Sequence, residues 1–379
     1  MLRWFKTFLS PDDSGGRTSI RDDARASYGP VTRDTQAAIS ELSRLARNNP
    51  DAVEIYLALG NLYRSHGEIE RAVQIRQSLI VRPGLDAKIK AKAWYELGQD
   101  YRRGGFVDRA LAAFEEARRL SGDSDEITRE MARLTAQGGD HRLAARHWAR
   151  LGNVKAEAHH HVLLARELRA AGDESGGRKA LDKALKVHPG SPEAWLETLL
   201  RDAGRSDWPA MADHLDTALT KVETGLGFVL LEGVLAAPLG QAQGREQSLD
   251  RPFCTLPDTD MAQCLLPILE GRQEDLLLHY YAAWLACGLD RDRARTLLEK
   301  CLVLHPGFWP ARLELLALGI DDQPLSPAFR KQLEFFISRA REVKRFLCGR
   351  CGLKREQVFF VCPRCQSWHS IAPRTALTD

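Results

Sequence analysis

No run of this sequence is long and apolar enough to cross a bilayer. The best stretch, Leu226 to Gly240, is interrupted by Glu232 and falls short of the ~20 residues that a spanning helix requires. Charge of one sign is not in surplus either. A formal net charge of +3 is too small to draw the whole chain to nucleic acid. The phosphate-cradling and metalloprotease signatures are missing. There is no Gly-x-x-x-x-Gly-Lys loop, no Gly-x-Gly-x-x-Gly and no His-Glu-x-x-His, so nothing supports a catalytic reading. With no signal peptide in view, a reducing cytosol is the expected compartment. What remains is a chain of 379 residues, 44% apolar and 28% charged, long enough for two or three domains or for one repeat array.

Cysteine is sparse, and half of it lies at the C-terminal end. Cys348-Gly-Arg-Cys351 and Cys362-Pro-Arg-Cys365 are two Cys-x-x-Cys pairs separated by ten residues, the spacing of a tetrahedral thiolate site. Gly352 leaves room for amides to turn towards the sulfurs, and Pro363 stiffens the second turn. Apart from Phe359, Phe360, Val361 and Trp368, this tab has little with which to build a core. A bound ion would contribute folding free energy on the order of 10 kcal/mol. Disulfides or idle thiols are the competing readings. The doubled spacing favours one iron or zinc ion on Cys348, Cys351, Cys362 and Cys365, both metals accepting four thiolates in a tetrahedron. Four thiolates leave no open position, so the expected role is structural. Cys254, Cys264, Cys287 and Cys301 are scattered in apolar stretches and read as small buried hydrophobes.

At the other end, Leu2, Phe5, Phe8 and Leu9 share one helical face with Trp4, opposite Arg3, Lys6 and Thr7. That pattern suits peripheral contact of residues 1–9 with an anionic membrane, or docking on the protein itself. Ser10 to Asp34 is turn-rich and reads as a linker, so that 1–35 is an amphipathic segment and flexible tether.

Residues 36–328 read as an all-α tetratricopeptide-repeat superhelical solenoid. Tyr56-x-x-Leu59-Gly60-x-x-Tyr63 is followed by Gly67, Ala72 and Pro83, and Trp94-x-x-Leu97-Gly98-x-x-Tyr101 by Gly105, Ala110, Phe114 and Ala117. The small Gly60, Gly98, Ala72 and Ala110 let paired helices approach. Tyr63 and Tyr101 fill the space beside them, and Gly67 and Gly105 turn the chain. Looser copies carry Ala144 and Trp148, then Leu164, Ala165, Leu168, Gly172, Leu181 and Ala184, and later Tyr281, Leu285, Ala294, Leu298 and Cys301. His188-Pro189-Gly190 and His305-Pro306-Gly307 close two of them at matching places. Between 221 and 275 the pattern dissolves around Pro238, Pro252, Pro257 and Pro267, predicting irregular helices or a long loop. An array of this kind offers a groove for protein partners. Leu333, Phe336, Ile337 and Ala340 predict a connecting helix over 329–346, leading into a rubredoxin-like or zinc-ribbon domain at 347–373. The tab's aromatic residues exceed what its own interior can hide, which predicts that it packs back on the repeats.

His159-His160-His161, with His141 and His147 upstream, point in different directions on a helix and cannot share one ion; they read as a solvated or partly buried face. Asp12-Asp13 and Asp321-Asp322 read as solvated loop acids. From Arg339 onward nine cations face three acids, a balance that would allow nucleic acid on the tab but equally suits a solvated rim or an acidic protein.

The segments Gly60 to Ile80 and Leu97 to Ala110 resemble the early repeats of the lipopolysaccharide assembly protein B family. The run from Cys348-x-x-Cys351-Gly352 to Cys362-Pro363-x-Cys365 and Trp368 resembles that family's rubredoxin-type tab. The likeness implies a non-catalytic, cytosol-facing adaptor at the bacterial inner membrane, linked to the membrane protease FtsH and to turnover of the deacetylase that commits carbon to lipid A. Only the four cysteines carry over, as metal ligands. The family typically begins with a transmembrane helix, whereas this sequence has only Met1 to Leu9 before its linker, so recruitment by that short segment or by partners is expected instead. A generic tetratricopeptide assembly scaffold and a nucleic-acid-binding ribbon protein are the alternative readings.

Overall fold

The computed structural model describes residues 33–49, 51–236, 258–272, 275–320 and 322–376. Two compact units divide the chain at Ile75 and Arg76. The first contains helices α1 (Arg33–Asn48) and α2 (Val53–Ser65) and the start of α3 (Ile69–Ile80). Tyr56 donates its hydroxyl to the Ala46 carbonyl at 3.1 Å, and Leu59, Gly60 and Ala72 are buried as the repeat pattern requires.

The second unit continues as α4 (Ala87–Arg103), α5 (Val107–Ser121), α6 (Asp125–Gln137), α7 (His141–Arg150), α8 (Val154–Ala170) and α9 (Glu174–Val187). It goes on through α10 (Pro192–Ala203), α11 (Trp208–Lys221), α12 (Gly227–Ala236), α13 (Thr259–Glu270), α14 (Leu276–Cys287), α15 (Arg291–Leu304), α16 (Trp309–Gly319) and α17 (Pro327–Arg341). Each even-numbered helix from α4 to α14 packs on the odd-numbered one that follows in chain order, or on its neighbour in the row, and α8, α10, α12 and α14 also lie against one another. The pair α4–α5 shows why the sequence folds this way. Ala110, Phe114 and Ala117 are fully buried, and a Cβ added at Gly98 would meet the Phe114 ring at 2.7 Å. Only a glycine admits that ring.

The turns between paired helices share one hydrogen-bond pattern. The amides of Phe106, Asp140, Asn153 and Asp173 reach back to the carbonyls of Tyr101, Thr135, Trp148 and Leu168. The residue before each is a glycine at positive φ, an end that closes the orphan carbonyls of the first helix. Ser206 takes that place between α10 and α11 with φ 54. Helix starts are capped from the side chain: Asp140, Asn153, Asp173, Ser191 and Asp207 each accept from the amide three residues on.

The segment from 221 to 275 contains more regular structure than its prolines suggest. Both α12 and α13 are α-helices, and α13 carries Pro267 within it. In α12, Phe228 to Leu231 and Val234 are buried on all sides, which explains why no one-sided periodicity marks it. Residues 237–257, with Pro238, Pro252, Pro257 and Cys254, lie outside the described residues, as do residues 1–32 and Asp321. Cys301 is fully buried, while Cys264 and Cys287 are half-buried. No helix among the described residues is long and apolar enough to cross a membrane.

After α17 the chain enters a small antiparallel sheet of β1 (Phe346–Cys348), β2 (Lys354–Arg355) and β3 (Ile371–Pro373), in the order β2-β1-β3. The segment read as a continuous connecting helix over 329–346 is therefore helical to Arg341 and extended from Phe346.

Candidate metal centre and its seat on the repeats

Two tight turns bring the four thiols together. Cys348 opens one at the end of β1, where the Gly352 amide returns to the Cys348 carbonyl at 2.8 Å; Cys362 opens the other, where the Gln366 amide returns to the Cys362 carbonyl at 2.9 Å. In both, the residue after the second cysteine is left-handed, Gly352 at φ 70 and Gln366 at φ 54. The sequence suggests this for the glycine; nothing in the side chain of Gln366 announces it.

All four sulfurs lie within 4.8 Å of one another and none is in a disulfide. Cys348 Sγ is 3.7 Å from Cys365 Sγ, and Cys351 Sγ is 3.6 Å from Cys362 Sγ. Metal–sulfur bonds of about 2.3 Å in a tetrahedron place neighbouring sulfurs about 3.8 Å apart, so the donor set fits one such ion. Ser370 Oγ is 3.2 Å from Cys348 Sγ, Ser367 Oγ is 3.0 Å from Cys365 Sγ, and the two hydroxyls are 2.6 Å apart. Burial works against ionisation of Cys348, but the Ser370 hydroxyl and the Cys351 and Arg350 amides bring its thiol down to about 5. Burial pushes Cys362 up to about 12. Hydrogen bonds thus favour the thiolate at Cys348, while burial disfavours it at Cys362. Among the described residues this is the one cluster of three or more potential ligands; the consecutive histidines form none.

The tab packs back on the repeats, chiefly on the even-numbered helices. Phe346 stacks on Phe228 of α12 with ring centroids 5.8 Å apart. Arg345 pairs with buried Glu232 of α12, which also accepts from the Tyr281 hydroxyl at 2.9 Å. Trp309 of α16 donates its indole N–H to the Arg374 carbonyl at 3.0 Å. Trp368 sits against Trp148, His159 and His160. Beside it, the Glu193 carboxylate of α10 lies between two imidazoles, His369 Nε2 at 2.9 Å and His159 Nδ1 at 3.1 Å, and accepts from Ser191 Oγ at 3.0 Å. Burial alone would raise the Glu193 pKa, but the His159 and His369 hydrogen bonds hold it far below the usual carboxylate range. Phe346, Cys348, Phe359, Cys362 and Ile371 join one apolar core with Trp195, Phe228, Tyr281 and Phe308.

Sequence reasoning treats the histidine run as a solvated or partly buried face. His159 is partly buried against the tab, and His160 and His161 are buried. The signal that could have found the contact is weak: a charged Glu193 directly after a helix-starting Ser-Pro, and a His next to the tab's tryptophan. The basic tail is also partly spent within the molecule. Arg341 pairs with Glu314 at 3.0 Å, Arg345 with Glu232, and Arg374 donates to the Lys344 carbonyl at 3.0 Å.

Tetratricopeptide-repeat family models match residues 32–82 and 95–154, and a second repeat model matches 159–200. Lipopolysaccharide assembly protein B of Escherichia coli (strain K12) is 23% identical over 94% of this chain and 93% of that protein. The protein of the same name from Haemophilus influenzae is 23% identical over 84% of this chain and 79% of its own length. Among solved structures, the C-terminal part of a TPR repeat-containing protein from Cytophaga hutchinsonii superposes with a TM-score of 0.35 at 13% identity, over 74% of this chain and 95% of that one. The chain thus carries tetratricopeptide repeats and, over nearly its full length, is similar to proteins named lipopolysaccharide assembly protein B.

Proposed function

We propose that this protein is a non-catalytic adaptor of lipopolysaccharide assembly that holds protein partners on its repeats, couples a lipid A deacetylase to the membrane protease FtsH, and works at the cytoplasmic face of the inner membrane. The observation that carries this reading is the similarity over 94% of the chain to proteins named for lipopolysaccharide assembly. The matched family models describe interaction repeats. Cys348, Cys351, Cys362 and Cys365 would hold one iron or zinc ion, whose contribution is cohesion of the tab, since four thiolates leave no position for a substrate.

The seat of the tab directs attention to the earlier repeats. Its contacts begin at Trp148 and His159, so the face of α7 to α16 that it covers is occupied from within the chain. On α4 and α6, Tyr95 donates to Glu126 at 2.7 Å and Arg102 pairs with Glu130 at 2.6 Å, a polar row that supports a partner surface there. Affinity purification of the tagged full-length chain from its native host tests the proposal. FtsH and the deacetylase are expected together in the eluate. Recovery of unrelated assembly factors without either would favour a general repeat scaffold, and recovery of RNA would favour the ribbon reading.

A further inference from the structure

Where the end of α8, the start of α9 and the end of α10 meet, they frame a cavity of about 280 Å³. Four arginines line it: Arg169 from α8, Arg178 from α9, Arg201 from α10 and Arg205 from the turn that follows. Guanidinium groups gathered round one hollow repel one another unless anions offset them. The fold supplies too few. Glu197 accepts from both Arg166 and Arg169 and so serves two cations. Asp202 lies 3.3 Å from Arg201 but is shared with His214 at 2.6 Å. Arg178 and Arg205 are exposed, and their side chains make no ion pair among the described residues. Glu174 is the one carboxylate on the lining, and it is exposed at the mouth. Five arginines thus stand against three carboxylates.

Packing holds one of these arginines in place. A Cβ on Gly177 would meet Arg169 Cγ at 2.7 Å and the Ala165 carbonyl at 3.0 Å, so the stem of Arg169 crosses α9 where there is no side chain. Glycine is a poor residue for a helix interior, and here it admits that stem. The floor is closed by buried Gly177 and Leu181. The start of α9 contributes little by itself, because Asp173 already caps the Gly176 amide at 2.8 Å. Charge and size then select the ligand. A carboxylate brings one charge and two oxygens, which a single arginine fork satisfies. A phosphate monoester brings close to two charges and three strong acceptor oxygens, which several guanidinium groups can share. The excess of two arginines matches the second. The volume falls just under the range of about 300–1,000 Å³ usual for drug-sized ligands, so the organic part must be small.

We infer that the cavity between α8, α9 and α10 binds the phosphate group of a small phosphate monoester, met by Arg178 and Arg205 at the mouth and by Arg169 and Arg201 deeper in. The inference is independent of the metal centre and of the partner surface proposed on α4 and α6. Isothermal titration calorimetry of the full-length chain at physiological salt tests it. Glycerol 3-phosphate is the probe, and glutarate, a dicarboxylate of similar charge, is the comparison. The expected result is saturable binding of one glycerol 3-phosphate per chain, about tenfold or more tighter than glutarate. Arg178→Ala and Arg205→Ala, whose thermal melts are compared first, should each weaken it about tenfold, as for one lost charge-assisted contact. Lys179→Ala removes an exposed cation of the same helix that does not line the cavity, and should bind as the parent does. Co-sedimentation with phosphatidylcholine vesicles, with and without phosphatidic acid, identifies the source of the phosphate. Retention that needs phosphatidic acid and is lost in Arg178→Ala would assign it to a lipid headgroup; calorimetric binding without such retention would assign it to a free ester. Failure of both arms would overturn the inference. So would equal affinity for glutarate, unchanged affinity in both arginine variants, or an equal loss in Lys179→Ala.

Discussion

Individual side chains carry much of the specificity of this fold, and several make quantitative demands. Gly98 lies so close to Phe114 that even a methyl group needs the ring to move. Gly98→Leu should destabilise by about 2–3 kcal/mol in denaturant unfolding through overpacking. Ser206 sits in a left-handed turn that four equivalent turns give to glycine. Ser206→Gly should therefore raise stability by about 0.5–1 kcal/mol, measured as a higher urea midpoint at constant slope. The buried histidines set a pH dependence. Burial lowers His160 to about 3 and His161 to about 4, below their unfolded values near 6.5. Between those limits the unfolded chain binds protons that the folded chain refuses, so stability falls as pH drops from about 6.5. By pH 5 each histidine should cost about 2 kcal/mol. A His160→Gln variant should show a visibly flatter melting temperature between pH 7 and pH 5 than the parent; an equally steep profile would remove His160 as a source.

At the level of elements, the tab is a sheet of three very short strands joined by two cysteine turns, too small for its apolar interior to hold it unaided. Purified protein should carry about one iron or zinc per chain, and Cys362→Ser should release it while the helical circular-dichroism signal persists. A metal-free preparation from metal-replete cells, with all four thiols freely titratable, would sink the site. The helices draw their own boundaries more locally. Side-chain caps and left-handed closures recur from one pair to the next, because each pair solves the same problem of orphan amides and carbonyls. Helix α12 is the exception: apart from Glu232 it is apolar all round and acquires its place only by being surrounded.

For the whole of the second unit, the important fact is that tab and repeats share one core. The Glu193 carboxylate between His159 and His369 and the Glu232 carboxylate beside half-buried Arg345 are both buried, so removing one partner leaves an uncompensated polar group. Glu193→Ala should cost about 3 kcal/mol in an intact, metal-loaded protein. Its effect should shrink to a small fraction in Cys362→Ser, where the tab no longer seats His369. Additive losses in that double-mutant cycle would mean that the two modules do not cooperate. Partner affinity offers a second measure. If the tab braces the repeats, Cys362→Ser should weaken binding even where the partner touches helices alone.

The amino-acid sequence by itself determined the repeat class, the pairing of the four cysteines into two turns and the helical turns, because each depends on local spacing. Gly98 with Ala110, and Cys-x-x-Cys with Gly352, are constraints that a few neighbouring residues impose on their own backbone. It also implied that the tab needs a surface, since Phe359, Phe360 and Trp368 outnumber the interior available to them. Tertiary structure alone decided which surface. Glu193 and His369 are far apart in sequence, and neither carries a pattern that names the other; they meet because the stacking of α8, α10 and α12 builds the seat that the cysteine turns then fill. How deeply the histidine run is buried was not legible for the same reason. Burial is a property of what arrives from elsewhere in the chain, and helical periodicity records only which side chains share a face. The exposed phenylalanines of α17 are the converse case: Phe329 and Phe336 share a helical face with Leu333, yet among the described residues the fold leaves both rings more than half exposed.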